Sequence, residues 1–333
     1  MIRFIRKTLN PERYHGKLRD QRASFFEGWY YKIVDVTETH RYAFIPGIFW
    51  SSQPHSFVQV LDGGAAEANY HEFPTDAFWA AEDSFDIRVD DNRFSGQEMV
   101  LRIDDVRQQI KGAIRFHDTT PWPVTVAAPG IMGWYAWVPF MECYHGVVSL
   151  DHTLSGSLTI DGREIDFTGG RGYIEKDWGR AFPEAWIWFQ SNHFESPGTS
   201  LTGSIAIIPW LWTAFPGFII GLWHERQLYR FATYTGAKTE RLQVTEKTID
   251  WVVSDRKFRL EMFVTQGSGS TFGLLKGPDT VAMGKRVAET LSATVQVSLT
   301  EKKGNGRVIF EGTGRHAGLE VHEVEARLLK MIE

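Results

Sequence analysis

Leu154–Thr168, LSGSLTIDGREIDFT, reads as a strand, a two-residue turn and a second strand. Asp161-Gly162 is the dipeptide best able to adopt the positive-φ backbone of a tight hairpin, so the chain folds back there. The same grammar extends in both directions. Upstream, Phe57–Leu61 enters Asp62-Gly63-Gly64, Asp86–Val89 enters Asp91-Asn92, Met99–Ile103 enters Asp104-Asp105, and Ile110–Phe116 alternates. Downstream lie Arg226–Tyr234, Leu242–Thr245, Thr248–Val253, Phe258–Thr265, Glu289–Thr300 and Gly306–Glu311. Short strands at roughly 8–12-residue spacing predict an all-β, antiparallel barrel or sandwich. Helical signals are confined to Pro278–Met283 and Pro183–Ala185. The break at Thr168-Gly169-Gly170 predicts an N-terminal lobe over 1–170 and a C-terminal lobe over 171–333.

Composition removes several functions. A net charge of −5 leaves no basic footprint for nucleic acid. Cys143 is the single cysteine, which rules out an intrachain disulfide and a Cys-rich zinc site. No H-x-H or HExxH pattern is present, so no metal is expected. Nucleotide-binding glycine loops and the G-x-S-x-G elbow are also missing. The N-terminus lacks the apolar core of a signal peptide. The longest apolar stretch, Ile205–Trp223, is interrupted by Pro209, Pro216 and two glycines, short of the ~18–20 residues a membrane helix needs. These features predict a cytoplasmic protein, with peripheral membrane contact as the open alternative; the pattern sets no oligomeric state. The aromatic content stands out: 13 Trp, 23 Phe and 10 Tyr must line either a thick core or an aromatic-walled pocket.

Gly172–Phe194, GYIEKDWGRAFPEAWIWFQSNHF, is where chemistry concentrates. Period two puts Tyr173, Glu175 and Asp177 on one strand face and Ile174, Lys176 and Trp178 on the other. A following strand places Trp186, Trp188, Gln190 and Asn192 together, with Ile187, Phe189, Ser191 and His193 opposite. In Phe25–Lys32, FFEGWYYK, Glu27, Trp29 and Tyr31 share a face. From alternation alone, the carboxyls are equally a charged edge and the indoles equally core filling.

FFEGWYYK, GYIEKDWGRAFPEAWIWFQSNHF and AGLEVH (Ala317–His322) resemble the tocopherol cyclase family and its bacterial relatives, over about Phe25 to His322. The resemblance implies a two-lobed, lipocalin-like β structure. It also implies ring closure on a prenylated hydroquinone without cofactor or metal. The chain departs from the plant pattern at Asp177, commonly Asn there, and shows no plastid-targeting extension.

Such chemistry needs a proton delivered to an alkene, a very weak base. A carboxylic acid held protonated by burial supplies it, aromatic π faces stabilise the cation, and exclusion of water protects it. On this resemblance Asp177 is the first candidate donor and Glu175 the second. Tyr173 or Lys176 would orient the acid or hold the substrate hydroxyl. Trp186, Trp188, Trp29 and Tyr31 would line the cation site, with Glu27 in the same first motif. Gln190 and Asn192 would bind the head group, and Trp178 and His193 take these places if the other faces look inward. The substrate implied is an apolar prenyl or terpenoid lipid. Two alternatives use the same residues: a hydratase, if water captures the cation, and a carrier that binds a lipid unchanged. A glycosidase fits less well, because carboxyls two residues apart on one strand sit only about 7 Å from each other.

Overall fold

The computed structural model describes residues 2–16, 24–267, 272–304 and 306–332. Two compact units emerge: Met1–Phe182 with Gly273–Val287, and Pro183–Phe272 with Ala288–Glu333. The hairpin that decides the fold forms as read, with Ile160 pairing Arg163 across Asp161-Gly162 and Leu158 pairing Ile165. Asp161 takes φ 49° and Gly162 φ 81°, the left-handed backbone that this dipeptide tolerates.

Among the described residues each unit is built on an antiparallel sheet, one of twelve strands and one of ten. The first sheet centres on three neighbours: Phe25–Val34, Arg171–Gly179 and Cys143–Ile160. Its apolar core takes Trp29, Tyr31, Ile33, Phe44, Val58, Phe94, Leu101, Leu158 and Ile174. The second sheet centres on Trp186–Ser191, flanked by Ser200–Trp210 and Val308–His322. Ile187, Phe189, Leu201, Ile220, Trp251, Val295 and Leu319 fill its core. Among the described residues neither hydrogen-bonded strand order closes on itself. The all-β, antiparallel expectation is met at the level of two sheets, without a closed barrel.

Three expectations need correction. The division falls at Phe182/Pro183, not after Gly170, because Arg171–Gly179 is an interior strand of the first sheet, paired on both edges. Gly169-Gly170 is only the turn leading into it: Gly169 takes φ 82°, and the Gly170 amide donates to Phe167 O at 2.9 Å. The second unit's long strand Lys285–Glu301 begins in the first unit, so the chain returns to unit one over Gly273–Val287. Neither Pro278–Met283 nor Pro183–Ala185 is helical; both are bends between strands. In the first bend the Asp279 carboxylate accepts the Val281 and Ala282 amides at 2.6 and 2.8 Å, satisfying the backbone without a helical turn.

Candidate functional site

Strand alternation divides Arg171–Gly179 as expected. Ile174 enters the apolar core of the first unit, and Lys176 and Trp178 share its side. Tyr173, Glu175 and Asp177 take the opposite side. Register then adds a residue that spacing along the chain does not reveal: His145, on the neighbouring strand, pairs directly with Asp177, while Val147 pairs with Glu175.

The imidazole of His145 lies between the two carboxyls. Nδ1 is 2.8 Å from Asp177 Oδ1, and Nε2 is 3.6 Å from Glu175 Oε2. The Tyr173 hydroxyl donates to that same Glu175 oxygen at 2.5 Å. Exposure is graded along the chain: Tyr173 is fully buried, the Glu175 side chain is 6% exposed, His145 15% and Asp177 29%. Tyr, Glu, His and Asp thus form a polar row from a buried phenol to a carboxyl that meets solvent, hydrogen-bonded at both ends and with a 3.6 Å step between His145 and Glu175. One ligating atom from each of His145, Glu175 and Asp177 lies within 4.8 Å of the others, close enough to hold a cation. The sequence expectation of no metal site rested on spacing within one segment, and the grouping arises across strands. Lys32, buried and paired in register with Tyr173, puts a cationic side chain on this same face. Alternation within FFEGWYYK carried that signal; only Glu27, Trp29 and Tyr31 were singled out from it.

Those three residues sit on the core side with Lys176, away from the Glu175/Asp177 face. Lys176 Nζ is 2.5 Å from Glu27 Oε1, both side chains being fully buried. The ammonium also bonds His15 Nδ1 at 2.7 Å, the Pro11 carbonyl at 3.1 Å and the Arg13 carbonyl. It lies 4.5 Å from the Trp178 ring centre and 4.9 Å from that of Trp29. Burial brings the lysine down to about 8, against the pull of Glu27. Burial alone would raise the Glu27 carboxyl; the Lys176 and His15 partners outweigh it and hold it at about 2. His15, stacked on Trp178 at 4.2 Å, is lowered to about 4 by burial and the lysine charge. Trp29 donates its indole N–H to Glu12 O at 2.9 Å, and the Tyr31 hydroxyl donates to Ser95 O at 3.0 Å. Glu27, Trp29, Lys176 and Trp178 thus bind the N-terminal segment to the sheet, Tyr31 is held within the core by Ser95, and the structure brings none of the five to the carboxyls.

The remaining candidates belong to the second unit. Trp186, Trp188 and Gln190 are buried on the strand face opposite Ile187 and Phe189, which enter the core. Trp186 donates its indole N–H to Glu320 at 2.6 Å and stacks on His322 at 4.2 Å. The AGLEVH segment thus supplies the partners of the tryptophan motif. Asn192 and His193 lie just past the strand end, with Asn192 Oδ1 3.1 Å from His193 Nδ1.

The fold is one of two antiparallel sheets, and its first unit carries a shielded group of Tyr173, Glu175, His145 and Asp177. The tocopherol cyclase-like family model matches residues 100–323, two thirds of the sequence, and the chain belongs to that family. FFEGWYYK lies outside the matched range. A probable chloroplastic tocopherol cyclase of Oryza sativa subsp. japonica is 26% identical over 216 residues, covering 60% of this chain and 43% of that protein. The chloroplastic tocopherol cyclase of Zea mays is 29% identical over 200 residues, covering 57% and 41%. The chain thus spans less than half the length of these curated relatives. Among solved structures, kievitone hydratase from Nectria haematococca superposes with a TM-score of 0.52 at 13% identity, covering 90% of this chain and 89% of that one. CghA with Sch210972 gives 0.51 at 11% identity, covering 90% and 88%. At such identity these two establish a shared fold.

Proposed function

We propose that the protein is an acid-initiated cyclase or hydratase of a prenylated phenol, quinol or terpenoid lipid, working without a cofactor. The observation that carries this reading is the graded path Tyr173–Glu175–His145–Asp177. The first unit's hydrogen-bonding supports it, and the names of the relatives, tocopherol cyclases and a hydratase, agree with it. Graded burial supports taking the two acids in the opposite order. Glu175, shielded and held by Tyr173, is the proton donor, and Asp177 restores its proton through His145. Desolvation favours the neutral carboxylic acid, the form that protonation of an alkene requires. His145 Nε2 stands 3.6 Å from Glu175 Oε2, and proton transfer between them requires that gap to close.

The step balances without a co-reactant. Glu175 gives its proton to the less substituted alkene carbon, and a tertiary cation forms. The phenolic oxygen bonds to that cation and loses its proton to water, while Glu175 is reprotonated from solvent through Asp177 and His145, so cyclisation is a net isomerisation. Capture by water instead yields the tertiary alcohol. The partly exposed Asp177 makes proton resupply from solvent part of this reading. Trp186, Trp188, Gln190, Asn192 and His193 of the second unit, and the lipocalin-like closure of each sheet, stay proposals that this reading does not need.

The test is turnover of a prenylated hydroquinone by Glu175→Gln, His145→Gln and Asp177→Asn, each checked for fold by circular dichroism. Glu175→Gln should abolish product. His145→Gln and Asp177→Asn should lower kcat by about 10²–10⁴ while KM changes little. A chelator should leave the rate unchanged. Full activity in Glu175→Gln removes the acid assignment. Loss of activity on chelation, restored by a divalent cation, would instead assign His145, Glu175 and Asp177 to a metal.

A further inference from the structure

The second unit contains a hairpin whose tip breaks two rules at once. Strands Ser200–Trp210 and Thr213–His224 pair from Trp210↔Thr213 down to Ser200↔Trp223, leaving only Leu211 and Trp212 in the turn. Leu211 sits at φ 52°, a backbone position where a side chain is strained and where hairpins favour glycine or asparagine. Leu211 is 71% exposed and Trp212 99% exposed. Local turn chemistry would select small polar residues here, and water would select against an indole and an isobutyl group. Neither preference is followed, so these residues serve something outside the monomer's own folding.

From Ile205 to Leu222, IAIIPWLWTAFPGFIIGL, the hairpin carries no charged residue. Pro209 and Thr213 beside the turn are exposed, and Trp210 packs edge-on against Phe215 behind it at 6.2 Å. We propose that this tip is a membrane-docking element that inserts Leu211 and Trp212 into the interfacial layer of a lipid bilayer. Trp is favoured at that depth because its ring is buried among acyl chains while its N–H meets head groups. A protein partner fits worse: stable protein interfaces bury about 1,200–2,000 Å², more than a two-residue tip presents, and an uncharged hairpin offers nothing to steer an encounter. The net charge of −5 makes the predicted contact one with neutral lipid, driven by apolar insertion. It rests on the tip alone and is independent of the acid assignment.

Flotation of the full chain with phosphatidylcholine vesicles tests it, alongside vesicles of equal parts phosphatidylcholine and phosphatidylglycerol. The wild type should float with both, the neutral vesicles at least as well. Leu211→Gly/Trp212→Ser should lose binding by about tenfold or more, the scale expected when two large apolar side chains leave lipid. Trp212→Phe should keep most of it. The double variant should melt no lower than wild type, since glycine relieves the positive φ. Independently of any variant, brominated phosphatidylcholine should quench part of the wild-type tryptophan fluorescence. Absence of both flotation and quenching overturns the proposal. So does equal flotation of wild type and double variant. Self-association that the double variant abolishes, without vesicle binding, would make the tip a protein contact and overturn it too.

Discussion

Replacing Lys176 with Met strikes the most densely connected charge in the first unit. Its ammonium is fully buried against Glu27, His15, two backbone carbonyls and two indoles. Removing it strands the Glu27 carboxylate, whose remaining donors are the backbone amides of His15 and Gly16 at 2.7 and 3.0 Å. Breaking a buried pair in this way costs about 3–5 kcal/mol, a large fraction of the ~5–15 kcal/mol that holds a domain together. Glu27→Gln should cost a similar amount by stranding the ammonium. With both charges gone, neither is left uncompensated, and the double variant should recover at least about 2 kcal/mol relative to the sum of the singles. Urea unfolding followed by tryptophan fluorescence measures all three. Single losses below about 1 kcal/mol, or strict additivity, would show that the pair is solvated and the reasoning wrong. Because Lys176 projects away from Glu175 and Asp177, the folded double variant should also keep its turnover. Loss of turnover with the fold intact would return Lys176 to the substrate side.

Two further perturbations follow from the same unit. His152, tilted against Phe116 and lowered to about 3 by burial, and His15, lowered to about 4, are both neutral in the folded protein near pH 5. The unfolded chain binds those protons from about pH 6.5 downward, so stability should be full above that pH and fall as pH drops toward 4, at about 1.4 kcal/mol per unit of offset per group; urea midpoints at pH 7, 6, 5 and 4 read it, and a flat profile would show that these histidines are solvated. Gly172→Ala should be disfavoured, since a Cβ there would lie 2.3 Å from His152 Nε2; melting should show a loss of about 1–3 kcal/mol, relieved when His152→Ser is added, and an unchanged melting temperature would mean that the imidazole moves aside freely.

Much of the fold was legible because its signals are local. Asp161-Gly162 fixed a hairpin, and period two sorted Tyr173, Glu175 and Asp177 from Ile174, Lys176 and Trp178 without any tertiary information. The unit boundary was not legible, since a Gly-Gly pair at the entry to a strand looks the same whether that strand ends one sheet or begins the next. Nor was the destination of a face. Glu27, Trp29 and Tyr31 alternate as a pocket wall would, yet they face a core sealed by the N-terminal segment. The role of His145 was not legible for a different reason: its partnership with Asp177 exists only in the register between two strands far apart in sequence.

That register also supports the ranking of the two acids in the proposed mechanism. Read along the strand, Glu175 and Asp177 are equivalent: same face, same charge, two residues apart. Read across it, they differ, because Asp177 pairs with His145 near solvent while Glu175 pairs with Val147 and takes the Tyr173 hydroxyl. A carboxyl that must stay protonated until an alkene arrives belongs at the buried end; one that exchanges protons with water belongs at the exposed end. Asn at the position of Asp177 would remove only the second role. Asp177→Asn in this chain should therefore slow successive turnovers more than the first. A single-turnover burst comparable to wild type, followed by a slow steady state, is the expected time course. A variant equally slow in both phases would place Asp177 itself at the alkene and restore it as the donor.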